Sequence, residues 1–168
     1  QWVKQDVYTE AFSLNEIFTR QSILTVLKTY TVAGFQHILP LGMDHILFVL
    51  GIFLLSTTLK PLLWQGTMFT IAHSITLSLS MLDIFSLPAQ IVEPLIALSI
   101  AYVAIENIFN PKLHKSRLWI VFGCGLLHGL GFASILAEFG MPRDDFALAL
   151  ISFNVGIEFG QLAIILLA

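Results

Sequence analysis

The sequence predicts an all-α fold, a polytopic transmembrane helix bundle of about five spans preceded by an N-terminal amphipathic interfacial segment. Three observations predict it. Of 168 residues, 57% are hydrophobic and 11% charged, whereas soluble domains are about a quarter charged. Mean hydropathy is +0.86. Apolar runs recur at a length that crosses a hydrocarbon core of ~30 Å, which takes about 20 helical residues.

Residues 1–33 form the interfacial segment. Trp2, Val3, Val7, Phe12, Leu14, Ile17, Phe18, Ile23, Leu24 and Leu27 recur at helical spacing among Lys4, Asp6, Glu10, Glu16, Arg20 and Lys28. That pattern suits one or two helices lying in the headgroup region. The bundle follows over 34–168. Its expected spans are about 39–57, with Pro40 in the first turn, and about 62–82. The third is about 88–109, opened by Pro88, and the last two are about 118–139 and 146–168. Thr58-Leu59-Lys60-Pro61, Ser86-Leu87-Pro88, Asn110-Pro111-Lys112 and Gly140-Met141-Pro142 supply the turns between them. Connections this short make successive helices antiparallel neighbours.

The net charge of −3 is small and scattered. Without a basic patch, no nucleic-acid partner is expected. The single cysteine, Cys124, lies in an apolar run and reads as a small buried hydrophobe. Residues 1–28 lack the basic start and apolar run of a secretory signal. The last residues are still apolar, so both ends read as cut and a further helix is expected beyond them. Lys60, Lys112, Lys115 and Arg117 flank one set of span ends. The positive-inside bias therefore puts those loops in the cytoplasm and residues 1–33 outside a bacterial inner membrane. Membrane lipid is the expected surrounding partner. Gly125-x-x-x-Gly129 and Gly156-x-x-x-Gly160 allow close helix packing and leave room for a homo-oligomer.

Ionisable groups inside spans cost roughly 2.5–3.5 kcal/mol each and by default mark function. This chain has Asp44 and His45 in span one, His73 in span two, Glu93 and Glu106 in span three, His128 in span four and Glu158 in span five. Asn154 stands one turn before Glu158 on the same face. By residue count, most of these groups fall in one slab about 10 Å thick in the outer half of the membrane. Glu158 is slightly deeper, and Glu106 lies near the cytoplasmic side. Three histidines from three helices, with carboxylates at their level, make a ligand set for a divalent transition metal such as Zn, Ni or Co. His37 joins the set if the first helix extends back past Pro40. The alternative is that these groups hydrogen-bond to one another and hold the helices together. Thr70, Ser74 and Ser78 form a hydroxyl stripe beside His73, suited to interhelical hydrogen bonds, with Ser74 also a candidate catalytic hydroxyl.

Five stretches carry a family resemblance. They are His37-Ile-Leu-Pro-Leu-Gly-Met-Asp44-His45-Ile-Leu-Phe, Phe69-Thr-Ile-Ala-His73-Ser74, Val92-Glu93-Pro-Leu-Ile-Ala-Leu-Ser99, Gly125-Leu-Leu-His128-Gly129-Leu-Gly-Phe-Ala133 and Phe153-Asn154-Val-Gly-Ile-Glu158-Phe-Gly160-Gln161. Over roughly 34–168 the chain resembles the HupE/UreJ membrane proteins. The resemblance implies nickel or cobalt uptake, with a histidine-to-Asp-His motif of the first helix handling the metal. Six residues separate His37 from Asp44 here, where the nickel permease motif has five, which points to a less characterised branch.

Two functions follow from these residues. A divalent-metal permease needs an intramembrane site that also releases its ion, and Glu158 and Glu106 step toward the cytoplasm as a route. An intramembrane zinc hydrolase acting on a lipid or embedded peptide would hold zinc on three histidines. Asp44, Glu93 or Glu158 would then serve as its general base. A non-catalytic partner of another membrane protein is the third reading. The resemblance sets the permease first.

Overall fold

A computed structural model describes residues 22–55, 58–110, 114, 116–139 and 145–168, with α5 side chains through Phe132. Among the described residues there are six helices: α1 Ile23–Ile38, α2 Met43–Leu55, α3 Leu59–Met81, α4 Ala89–Phe109, α5 Arg117–Phe139 and α6 Phe146–Leu167. The described residues contain no strand. The expected interfacial segment lies largely outside the described residues. Its last part, from residue 23, is the start of α1, a helix that crosses the expected boundary at 33/34 and continues through His37. Ser22 caps it, its hydroxyl accepting from the Thr25 N–H at 3.1 Å.

The first span expected over 39–57 is not one helix. Leu39 leaves helical geometry, the Leu39–Pro40 bond is cis, and α2 starts only at Met43. Pro40 has no N–H with which to continue the α1 ladder. The two helices meet at a bend of 70°. Gly42 sits against the His37 carbonyl, where any Cβ would collide, so the chain can fold tightly over the end of α1. That turn sets the last residues of α1 beside the first of α2.

Two helix pairs built on the same glycine spacing dominate the packing. α5 lies along α3 and α6 along α1. Both α5 and α6 carry Phe-x-x-Gly-x-x-x-Gly, at Phe122/Gly125/Gly129 and Phe153/Gly156/Gly160. Gly125 faces Phe69 and Ala72, and Gly129 faces His73 and Thr76. Gly156 faces Thr31 and Phe35, and Gly160 faces Ile38. In each pair the contacts ascend together, so the partners run parallel. Lipid gives no hydrophobic drive for helices to associate, so close backbone approach over small residues supplies it by dispersion. The α2 helix leans on α4, where Asn107 Nδ2 donates to the Gly51 carbonyl at 2.7 Å.

Two of the described helices, α4 and α6, are long and apolar enough by themselves to cross a membrane, and the bent α1–α2 pair passes the same test as a unit. That makes two or three candidate spans, fewer than the five expected. The reason lies in α3, whose 23 residues include Lys60, Gln65, Thr67, Thr70, His73, Ser74, Thr76, Ser78 and Ser80. α5, Arg117–Phe139, is 23 residues long, and its described part through Phe132 is apolar.

Candidate metal centre

Four histidines from four helices meet near the bend. His37 is in the last turn of α1, His45 in the first turn of α2, His73 midway along α3 and His128 midway along α5. The 70° bend is what brings His37 to His45, their ring centroids 4.5 Å apart. His45 stands 5.7 Å from His73 and 5.0 Å from His128, and His37 stands 5.6 Å from His73. The Gly129 crossing sets His128 beside His73, because Gly129 abuts the His73 backbone.

All four are buried, His73 completely. Their ligand atoms are bare. His37 Nε2, His45 Nε2, both nitrogens of His73 and His128 Nε2 have no hydrogen-bond partner among the described residues. A buried imidazole nitrogen without a partner is costly, so these nitrogens call for a group that would satisfy them. Glue would show the rings bonded to one another or to neighbouring carbonyls. His128 does so only through Nδ1, 2.8 Å from the Cys124 carbonyl. A carbonyl only accepts, so Nδ1 carries the proton and Nε2 keeps its lone pair, as a metal-ligating histidine requires.

His37, His45 and His73 each offer a ligand atom, all within 4.8 Å of one another. Ligands on opposite sides of one ion are about 4.2 Å apart at bonds of about 2.1 Å, so small side-chain rotations bring these nitrogens onto a single cation. The donor set fits a borderline transition metal. Phe132 packs on the His37 ring at 3.7 Å, and Phe69 and Phe48 lie 5.0 and 5.4 Å from that of His128. These rings form the apolar walls around the imidazoles.

The carboxylates take a different place. Asp44 and Glu93 are exposed, and they line a cavity of about 620 Å³ shared with Gln36, His37, His45 and His128. A cation with six waters, at ~30 Å³ per water, takes roughly 180 Å³, so the cavity admits a hydrated ion. Asn154 and Glu158 are half-buried on α6. Glu158 is not among the residues whose ligand atoms cluster with the three histidines, and Asn154 Oδ1 is buried without a partner among the described residues. One turn farther along α6, Gln161 Nε2 donates to Thr70 Oγ1 at 3.3 Å, and this link between α3 and α6 went unread in the sequence. The 154, 158, 161 spacing was its signal. The expected hydroxyl stripe bonds mostly within its own helix. Ser74 Oγ donates to the Thr70 carbonyl at 2.6 Å and Ser78 Oγ to the Ser74 carbonyl at 2.6 Å. Among the described residues, Thr70 alone of the stripe reaches another helix.

Arg117 is the other residue the sequence misplaced. Counted above as a loop charge, it is the first residue of α5 and is 1% exposed. Its Nη1 pairs with Glu106 at 2.7 Å and its Nε donates to Gln65 Oε1 at 2.9 Å.

No curated protein and no solved structure matches the chain at a significant level. The profile of one protein family does, described as HupE / UreJ protein, and it covers residues 14–168. Those residues include the bent α1–α2 pair, both glycine-packed pairs and every histidine of the cluster, and on that match the chain belongs to the HupE/UreJ family.

Proposed function

We propose that this chain is a divalent transition-metal permease of the nickel/cobalt type, with the four-histidine cluster as its intramembrane cargo site. One observation carries the reading: buried imidazoles with unpartnered nitrogens open onto a cavity whose mouth is acidic. Asp44 and Glu93 attract a hydrated cation there. His37, His45 and His73 replace its waters, and His128 offers a fourth nitrogen. The metal is cargo, held by neutral imidazoles so that it can also leave. Asn154 and Glu158 belong to the next stage, along the α3–α6 seam marked by Thr70 and Gln161.

In this reading α3 and α5 also cross the bilayer, because Gln65 meets Arg117 and His73 and Thr76 meet Gly129 across their interface, and five spans result. The segment before α1 lies at the outer interface of a bacterial inner membrane. A zinc hydrolase draws no support from Ser74, whose hydroxyl is committed to its own helix.

The test is uptake into proteoliposomes that enclose a metal-sensitive dye, with Ni²⁺, Co²⁺ and Zn²⁺ offered separately. Wild type admits at least one of them, and His73→Ala slows uptake tenfold or more. Dye signals for all three ions equal to those of protein-free liposomes overturn the permease.

A further inference from the structure

Below the histidines, the buried face of α3 descends from His73 to Gln65, a distance of about 12 Å at ~1.5 Å per residue. Phe69 lies between them, fully buried, its ring 4.7 Å from Phe48 and 5.7, 6.2 and 5.0 Å from His45, His73 and His128. Phe48 and Phe69 are thus an apolar floor under the cluster. Beneath the floor sits the Arg117 network. Arg117 holds Glu106 and Gln65, Gln65 Nε2 donates to the Pro61 carbonyl at 3.2 Å, and Arg117 Nη2 is buried without a partner among the described residues. A buried ion pair is weak as a device for stability, since desolvation consumes most of its attraction. Inside a membrane such a pair marks a path for ions.

We propose that Glu106, with Gln65 Oε1, is an inner cation position, and that the Arg117 guanidinium occupies it as a resident counter-ion and so closes the way out. This inference rests on the permease reading and supplies its second half. The cavity at Asp44 and Glu93 leaves the histidines open on one side, while the aromatic floor and the ion pair close the other. An apolar constriction blocks a hydrated ion, and a fixed positive charge repels a cation. Passage therefore requires Arg117 to swing away from Glu106, leaving the carboxylate and the Gln65 carbonyl oxygen to the cation.

The one cysteine in the chain reports on this gate. Cys124 is buried, two turns beyond Arg117 on α5 and one turn before His128. In proteoliposomes, a membrane-impermeant methanethiosulfonate added from the side where α3 and α5 begin leaves wild-type Cys124 unlabelled. Arg117→Gln speeds its labelling at least tenfold while Co²⁺ binding at the histidines is kept, and Arg117→Lys restores protection. Glu106→Gln keeps Co²⁺ bound but lowers uptake at least tenfold. Wild-type protection in metal-loaded Arg117→Gln, or wild-type uptake in Glu106→Gln, overturns the gate. Should Arg117→Gln fail to fold, Glu106→Gln decides alone. Wild type that binds Co²⁺ and moves none refutes the permease reading instead, a separate outcome.

Discussion

Replacing Gly129 by alanine should loosen the metal site from a distance. A Cβ at Gly129 meets the His73 carbonyl oxygen and Thr76 Oγ1, and comes within 3.0 Å of the His73 carbonyl carbon. The His73 carbonyl oxygen is the tightest of these contacts, so α3 and α5 must separate by roughly 1 Å to admit the methyl group. Overpacking of this kind costs about 1–3 kcal/mol. The contacted residue is also a proposed ligand, and metal–ligand distances tolerate only about ±0.2 Å. We expect a loss of about 10–100-fold in metal affinity, the range seen when supporting groups around a site are removed. Gly123→Ala is the control on the same helix, since a Cβ there has nothing within 4 Å. It should fall within about 0.5 kcal/mol of wild type. Titration with Co²⁺, followed by visible absorption, gives affinity, and a thermal melt in detergent gives stability. Equal Co²⁺ affinity in Gly129→Ala and wild type would refute the link between helix spacing and ligand geometry.

Other expectations follow from the same contacts. His73→Ala removes a central ligand and should abolish stoichiometric binding. His128→Ala, outside the tightest trio, should weaken it by about 10–100-fold, as measured by competition with a chelating dye. Gln161→Leu cuts the tie between α6 and α3 and should lower stability by about 0.6 kcal/mol, the average for hydrogen bonds between membrane helices. Ser74→Ala should leave Co²⁺ binding and uptake unchanged, because its hydroxyl serves only its own helix. Saturating metal at 100 times its Kd should stabilise the folded protein by about 2.7 kcal/mol, visible as a higher Tm that chelator reverses.

The helices and three of the histidines were legible because lipid imposes simple rules: long apolar runs, turns at proline and glycine, and ionisable groups at a shared depth. His45, His73 and His128 could be ranked by residue count alone. His37 could not. Its place depends on the break at residues 39–42, and in sequence Pro40 reads equally well as the first turn of a helix or the end of one. The Gly42 contact with the His37 carbonyl decides it, and that is a tertiary fact. Asp44 adjoins His45 in sequence but points to the cavity, because neighbours on a helix face about 100° apart. Arg117 was counted as a solvated flank, the usual place for a long basic side chain at a span end. Only the approach of Glu106 and Gln65 from two other helices gives it a buried partner set. The glycine motifs were legible as packing signals, but not which helix each would meet.

The central claim is that the four histidines form one metal site. Elemental analysis of the purified protein, reloaded with Ni²⁺, Co²⁺ or Zn²⁺ and washed, tests it most directly, with His37→Ala, His45→Ala, His73→Ala and His128→Ala alongside. About one metal per chain is expected in wild type and a sharp loss in each variant, deepest for the trio of His37, His45 and His73. A wild type that stays metal-free after reloading with all three ions, or variants that each keep a full equivalent, would contradict it.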